Sequence, residues 1–313
     1  MSPISQAPQS SQASRWSSDG PVVGFVGAGA MGGAVCRRLA AGGHRVRVFD
    51  LSAGAVAACV AAGAEAADSA ADAVGGSDVV FTSLPTPELV AAFWEENLPH
   101  LAPDAVAVDL STIDPATSRR VADRIEARGA SFLACTLGRT PGHAENGDIP
   151  AFVGGDPATV ERVRPLLDRL ASSVHPLGDV EAATTFKLVS NLVGMTNLAV
   201  LAEGYVLARR AGIEPEAFAA ALEETGAGSF QSQVRLPWIM ADDLAARFSV
   251  DLAAKDVRLA VEAAARWSVP TPVAAAGLSA LVAASAAGHG RSDAAAVVET
   301  YDPRRTARGP AAD

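Results

Sequence analysis

The chain has 313 residues, enough for two domains, and 49% of them are hydrophobic but only 5% aromatic, which predicts a core of Ala, Val and Leu. A formal net charge of −10 with no basic tract argues against nucleic acid or an anionic membrane as a partner. Cys36, Cys59 and Cys135 form no C-x-x-C pair and the five histidines are scattered. The reading is therefore a reducing cytoplasm, thiols used as small apolar residues, and no metal site.

Residues 1–20 are rich in Ser, Gln and Pro and lack the apolar core of a signal peptide, so a disordered tail is expected there. Strand-like apolar runs follow at 22–26, 46–49, 79–84, 105–110, 131–134 and 151–153, with helix-like stretches at 32–41, 53–62, 87–94 and 115–127. Alternation of this kind builds βαβ units and a doubly wound parallel sheet, the α/β Rossmann-type arrangement. A further helix is expected at 160–170 and an edge strand at 174–177. From about residue 184 the rhythm changes. Residues 184–211 form a long Pro-free stretch, followed by helical pieces at 215–224, 244–267, 273–287 and 292–300 and no strand pattern. The expected organisation is a dinucleotide-binding domain over 21–183 and an all-helical domain over 184–313. Residues 269–290 lack Asp, Glu, Lys and Arg but are mostly Ala, Gly and Ser with two prolines, which suits a buried helix better than a membrane span.

The first strand opens into Gly27-Ala28-Gly29-Ala30-Met31-Gly32, a G-x-G-x-x-G turn, and Asp50 closes the second strand. Gly27 permits the tight turn, Gly29 lets backbone N–H groups approach a pyrophosphate, and Gly32 lets the helix pack on the strand. The anion would sit at the helix N-terminus, with Ala30 and Met31 in the first turn. A carboxylate at Asp50 suits the free ribose hydroxyls of NAD and repels the 2′-phosphate of NADP, so NAD is the expected cofactor, with NADP as the alternative. Further on, Lys187 and Asn191 lie four residues apart and share one helix face. Apolar neighbours around Lys187 would lower its pKa toward a range useful for proton transfer. By spacing alone the plainer reading is a helical lysine reaching for water, with Asn191 capping a neighbouring loop.

Four blocks in order resemble the β-hydroxyacid dehydrogenases, the group that includes 3-hydroxyisobutyrate and 6-phosphogluconate dehydrogenases. They are residues 24–32, the Asp-Leu-Ser-Thr-Ile-Asp-Pro run at 109–115, Lys187 to Asn191, and Lys255-Asp256. The resemblance implies that Lys187 donates or accepts the proton and that Asn191 orients it and the substrate. It further implies that Ser111 and Thr112 touch the substrate or the nicotinamide side, that Leu84 and Pro85 line the nicotinamide pocket, and that Lys255 closes over the site. Where the family usually carries Ser-Gly-Gly, this chain has Gly138-Arg139-Thr140, which resembles the branch that reduces sulfolactaldehyde and related semialdehydes. An arginine fork there suits a tetrahedral or carboxylate anion; the alternative is an ion pair with Glu145 or the domain edge. Glu181 and Ala183 replace glycines that usually precede the lysine. Imine reductases are also similar but usually lack a lysine at this place. Cys135 and His143 flank the loop and read as structural.

The implied activity is an NAD-dependent interconversion of a small β-hydroxy acid or hydroxysulfonate with its semialdehyde. The alternatives are a 3-hydroxyisobutyrate or tartronate-semialdehyde type dehydrogenase, or a non-catalytic redox sensor. The expected partners are a small anionic hydroxy acid or semialdehyde and, from the long apolar helices, further copies of the chain in a homodimer or homotetramer.

Overall fold

The computed structural model describes Trp16 and residues 20–302; the expected tail otherwise lies outside the described residues. The chain begins β1 (Val22–Val26), α1 (Ala30–Ala41), β2 (Arg45–Phe49), α2 (Ala53–Ala61), β3 (Glu65–Ala66), α3 (Ala70–Val74) and β4 (Val79–Thr82). It continues α4 (Pro87–Asn97), β5 (Val106–Asp109), α5 (Pro115–Glu126), β6 (Ser131–Leu137), α6 (Pro141–Glu145), β7 (Pro150–Gly154), α7 (Pro157–Leu170) and β8 (Ser173–Pro176). The strands form one eight-stranded sheet in the order β3-β2-β1-β4-β5-β6-β7-β8. Every pairing is parallel except β6 with β7, because the connector carries only the short α6 and does not return the chain across the sheet.

β1 sits between β2 and β4, with Val23 opposite both Val46 and Val79. Its residues from Val23 to Val26 are buried, as a central strand covered on both faces requires. One face is closed by α1, α2, α6 and α7, whose Val35, Leu39, Cys59, Ala144, Val163 and Leu167 pack on Phe25, Val46 and Val108. On the other face α3, α4 and α5 bring Val74, Trp94, Val121 and Ile125 against Val80, Ala107 and Phe132. The Rossmann-type expectation therefore holds, with β3 and α3 as additions: residues 62–74 are too Ala-rich to show a strand or helix period.

Beyond the sheet the described residues are helical: α8 (Val180–Arg210), α9 (Pro215–Glu223), α10 (Phe230–Val234), α11 (Leu236–Met240), α12 (Val250–Arg266) and α13 (Pro272–Ala284). α13 runs into a π-turn at Ser285–His289, and a 3₁₀ segment covers Ala294–Thr300. A separate core forms where Leu198, Ala202, Tyr205, Leu236, Ile239, Val257, Leu281 and Val297 meet. The helix expected over 244–267 starts only at Val250. Ser249 caps it, and Asp293 holds the preceding segment extended by accepting from the Arg247 and Phe248 N–H groups at 3.3 and 2.9 Å. α13 also departs from expectation. It buries only Ala274, Gly277, Leu281 and Ala284, while Val273 and Val282 stand 70% and 46% exposed. Its small residues permit close approach to α8, where a Cβ on Gly277 would lie 3.2 Å from Thr196 Oγ1, but only one narrow stripe is covered. By length and composition Val180–Arg210 and Pro272–His289 would suffice to cross a membrane; here they pack against each other and α12.

Candidate active site

A cleft of about 810 Å³ runs along the carboxyl ends of β1, β4, β5 and β6 and is walled on its far side by α8, α10 and α12. It lies where the strand order reverses, between β1 and β4, which is where open α/β sheets bind ligands. Gly27, Gly29, Ala30, Met31, Gly32 and Asp50 form one end of its lining. Gly27 has φ +94°, and a Cβ there would strike the Ser83 carbonyl. A Cβ on Gly32 would lie 2.7 Å from that of Ser83, so glycine is needed for α1 to approach β4. A Cβ on Gly29 would meet no protein atom within 4 Å.

The helices around this end differ in one respect. α2, α3, α4, α5 and α7 are capped by the side chains of Ser52, Ser69, Thr86, Asp114 and Asp156. α1 has Gly29 at its N-cap and no side-chain cap, so its first N–H groups stay open to the cleft. That open helix start fits a dinucleotide pyrophosphate. Asp50 is held beside it, accepting from Ala28 N–H at 2.6 Å and Ser52 N–H at 2.7 Å. Of the two arginines on β2, Arg47 is bound to Asp72 and Arg45 stands at the amino end of the strand, away from Asp50; Arg37 on α1 is bound to Glu145.

At the middle of the cleft, Lys187 Nζ donates to the Leu137 carbonyl at 2.7 Å, tying α8 to the end of β6. Burial pushes its pKa down from the ordinary lysine value; Asp256 opposes the shift and Lys255 adds to it. Asn191, on the same face, donates to Asp256 Oδ2 at 2.6 Å. Lys255 pairs with Asp256 Oδ1 at 2.8 Å and donates to the Thr112 carbonyl at 2.7 Å, so it joins α12 to the loop after β5. Asp256, only 2% exposed, thus holds both Asn191 and Lys255. The sequence offered Asp256 only as the second residue of a motif; its bond to Asn191, 65 positions away, needs the fold.

Ser111 is buried, and its hydroxyl donates to Asp109 Oδ1 at 2.6 Å while accepting from Leu84 N–H at 2.9 Å. Thr82 donates to the same Asp109 oxygen at 2.7 Å. The Asp109 carboxyl is raised above the usual carboxylate range by burial, against the pull of the Ser111 and Thr82 hydrogen bonds. This network locks the Leu84–Pro85 turn to the Ser111–Thr112 turn and turns the Ser111 proton toward Asp109. Gly138, Arg139 and Thr140 line the same wall. Arg139 has φ +63°, and its Nη1 meets both the carbonyl and the carboxylate of Asp148. Glu145, named as its alternative partner, is taken by Arg37. Arg139 Nε and Nη2 have no protein partner among the described residues. Thr140 and His143 bond each other at 2.7 Å. Cys135 is buried, its thiol pushed up to about 12 by burial. Among the described residues no cluster of three or more His, Cys, Asp or Glu side chains stands ready for a metal.

An open helix N-terminus on the sheet side, a desolvated lysine on the helical side and a cleft between them fit a dinucleotide-dependent oxidoreductase. Comparison with known proteins gives the family. Residues 22–178 match the NAD binding domain of 6-phosphogluconate dehydrogenase, and residues 182–301 match the NAD-binding domain of NADP-dependent 3-hydroxyisobutyrate dehydrogenase. The chain is 32% identical to the 2-(hydroxymethyl)glutarate dehydrogenase of Eubacterium barkeri, over 90% of this chain and 94% of that one. It is also 32% identical to the 3-sulfolactaldehyde reductase of Escherichia coli K12, over 88% and 94% of the two chains. The solved Mycobacterium tuberculosis 3-hydroxyisobutyrate dehydrogenase with L-serine superposes with TM-score 0.82 at 28% identity, covering 90% of this chain and 98% of that one. The chain belongs to the β-hydroxyacid dehydrogenase family, NAD(P)-dependent enzymes acting on hydroxyl groups.

Proposed function

We propose that the chain interconverts a small β-hydroxy acid or hydroxysulfonate with its semialdehyde, using NAD, with Lys187 as general acid and base. The observation that carries this is the desolvated Lys187 ammonium in the cleft, on one helix face with Asn191. In oxidation the neutral Lys187 amine takes the hydroxyl proton; in reduction its ammonium protonates the alkoxide. When bound, the nicotinamide supplies hydride transfer at C4. Asn191, fixed by Asp256, keeps its amide oxygen and second N–H for Lys187 and substrate, and Lys255 holds the two lobes together over them. Leu84 and Pro85 are proposed to face the nicotinamide, and Thr112 with the Gly138–Thr140 loop the substrate. The relatives named for 2-(hydroxymethyl)glutarate and 3-sulfolactaldehyde support an acidic substrate. A 3-hydroxyisobutyrate-like reading rests on the similar M. tuberculosis structure. A screen of hydroxy acids and semialdehydes, followed by absorbance of the reduced cofactor, tests the proposal; turnover of none of them overturns it.

NAD is expected to exceed NADP in kcat/KM by roughly tenfold or more. Two like unit charges at ~4 Å repel by about 4 kcal/mol at an effective dielectric of ~20; Arg37 and Arg47 are paired elsewhere and Arg45 stands at the opposite end of β2 from Asp50. A preference for NADP in the kinetic comparison removes Asp50 from this role.

Arg139→Ala is expected to raise KM for sulfonate or carboxylate substrates by about 10–150-fold, the equivalent of ~1.5–3 kcal/mol for hydrogen bonds to a charged group. Neutral aldehydes of similar size should change little. If Asp148 is its whole purpose, both substrate types shift alike, which removes the main support for the sulfolactaldehyde-like branch.

The division into a sheet domain ending at 183 and a helical domain from 184, a homodimer or homotetramer, and a cytoplasmic location belong to the same proposal. Val189, Val193, Val200 and Leu207 stand 48%, 50%, 61% and 71% exposed on one face of α8, and a second copy would cover them. Sedimentation measures the association; a monomer at working concentrations rules it out. The three free, buried cysteines suit a reducing compartment.

A further inference from the structure

The helical wall of the cleft holds polar groups that proton transfer does not use. Arg235 and Gln231 both line the cleft, yet they are only 3% and 5% exposed. Arg235 Nε donates to Asp293 Oδ1 at 3.1 Å and Nη1 to Gln231 Oε1 at 2.7 Å, with its Cζ 5.7 Å from the centre of the Trp238 ring. These contacts fix the guanidinium plane. Its Nη2 has no hydrogen-bond partner among the described residues, and neither has Gln231 Nε2. Neither atom is among the fully enclosed ones, so both donors stay open to a group in the cleft while the rest of each side chain is buried.

The position of these donors relative to Lys187 is set by α8. Gln231 Nε2 lies 3.2 Å from where a Cβ on Gly194 would stand. Lys187, Asn191 and Gly194 follow at i, i+4 and i+7, on one helix face, and seven residues at ~1.5 Å each span about 10 Å. Phe230 and Phe248 also line the cleft and offer apolar contact to a methylene chain. Asp293 leaves Arg235 attractive to a second anion because its own charge is shared. Besides Arg235 it accepts from the N–H groups of Arg247, Phe248 and Ala295 at 3.3, 2.9 and 3.0 Å. Arg247 also lines the cleft, but its guanidinium is bound to Asp243 and laid 4.2 Å over the Trp238 ring.

We propose that Arg235 Nη2 and Gln231 Nε2 form a second anchoring point that grips a distal carboxylate, so that the preferred substrate is an acid with two ionised ends. The reacting hydroxyl then lies at Lys187 with one acid group by the 138–140 loop, and a spacer of several bonds leads to Arg235. This rests on the functional reading above for which end reacts, while the anchor itself is a binding property that can be measured without turnover.

The test is calorimetric titration of the NAD-loaded protein with glutarate and with pentanoate, acids of equal chain length that differ in the second carboxylate. Wild type is expected to bind glutarate at least tenfold more tightly. Gln231→Glu keeps an acceptor for Arg235 Nη1 but removes the Nε2 donor and adds a negative charge, so it should bring the two affinities within about threefold by weakening glutarate alone. Arg235→Lys, which keeps the charge opposite Asp293, should lose part of the preference, and thermal unfolding of both variants reports whether they are folded. Equal affinities in wild type, equal weakening of both acids in the folded variants, or glutaramate bound as tightly as glutarate would each overturn the proposal. If glutarate selectivity and its loss in Gln231→Glu are found while no hydroxy acid is turned over, the anchor stands and the oxidoreductase substrate assignment fails.

Discussion

Lys187→Ala is expected to lower kcat by about two to four orders of magnitude in both directions, the scale of losing a positioned general acid or base. Dinucleotide affinity should be nearly unchanged, because the open start of α1 and Asp50 belong to the sheet while Lys187 belongs to α8. The pH profile gives a second reading. Burial holds the Lys187 pKa below its ordinary value of 10.5, so the neutral amine is already present at lower pH. Oxidation should therefore rise with pH and level off below pH 10.5, while reduction falls through the same range. Linkage has a fixed sign here: a base whose pKa is depressed on folding binds fewer protons in the native state. Lys187 therefore adds stability as pH rises between its folded and ordinary pKa values. A variant that keeps most of its kcat with NAD binding intact would make Lys187 a structural residue that only ties α8 to Leu137.

Asp293→Ala is expected to be the most damaging single change in the helical core, costing about 3–5 kcal/mol, the range for removing one partner of a buried ion pair. Asp293 is fully buried, pairs with Arg235, and accepts three backbone N–H groups. Its loss leaves a buried guanidinium uncompensated and frees the segment that leads into α12. At ~2–4 °C per kcal/mol for a protein of this size class, the melting temperature should fall by roughly 6–20 °C. Asp293→Asn keeps oxygen for some of those donors and should lose less. Thermal denaturation followed by circular dichroism checks both; a fall of less than ~2 °C for Asp293→Ala would show that water or rearrangement replaces the bonds.

Much of the sheet lobe could be read in advance because its signals are local. A central parallel strand must be apolar on both faces, and β1, β4 and β5 are; a helix that starts against a strand needs glycine where its backbone meets the next loop, and Gly27 and Gly32 supply it. Lys187 and Asn191 were visible as an i, i+4 pair with apolar surroundings. The helical lobe was read less well. The segment 244–249 has helix-like composition, but Asp293 draws its backbone N–H groups into an extended path from 45 and more positions away. α10 and α11 are five residues each, too short for a helical period to show.

The sequence by itself determined the main strands and helices of the sheet lobe, the glycine turn with its acidic partner, and the lysine that shares a face with an asparagine. Each depends on neighbours within a few residues, where backbone sterics and side-chain period act directly. Only the tertiary structure decided what those groups do to one another. Asp256 became the support of Asn191 and Lys255, Ser111 turned its proton to Asp109, and Arg139 met Asp148 rather than Glu145. Arg235, an unmarked arginine among apolar residues, became a nearly buried donor in the cleft wall. Burial and long-range hydrogen bonding set the charge, direction and reach of these side chains, and both arise from elements that meet only after the chain has folded.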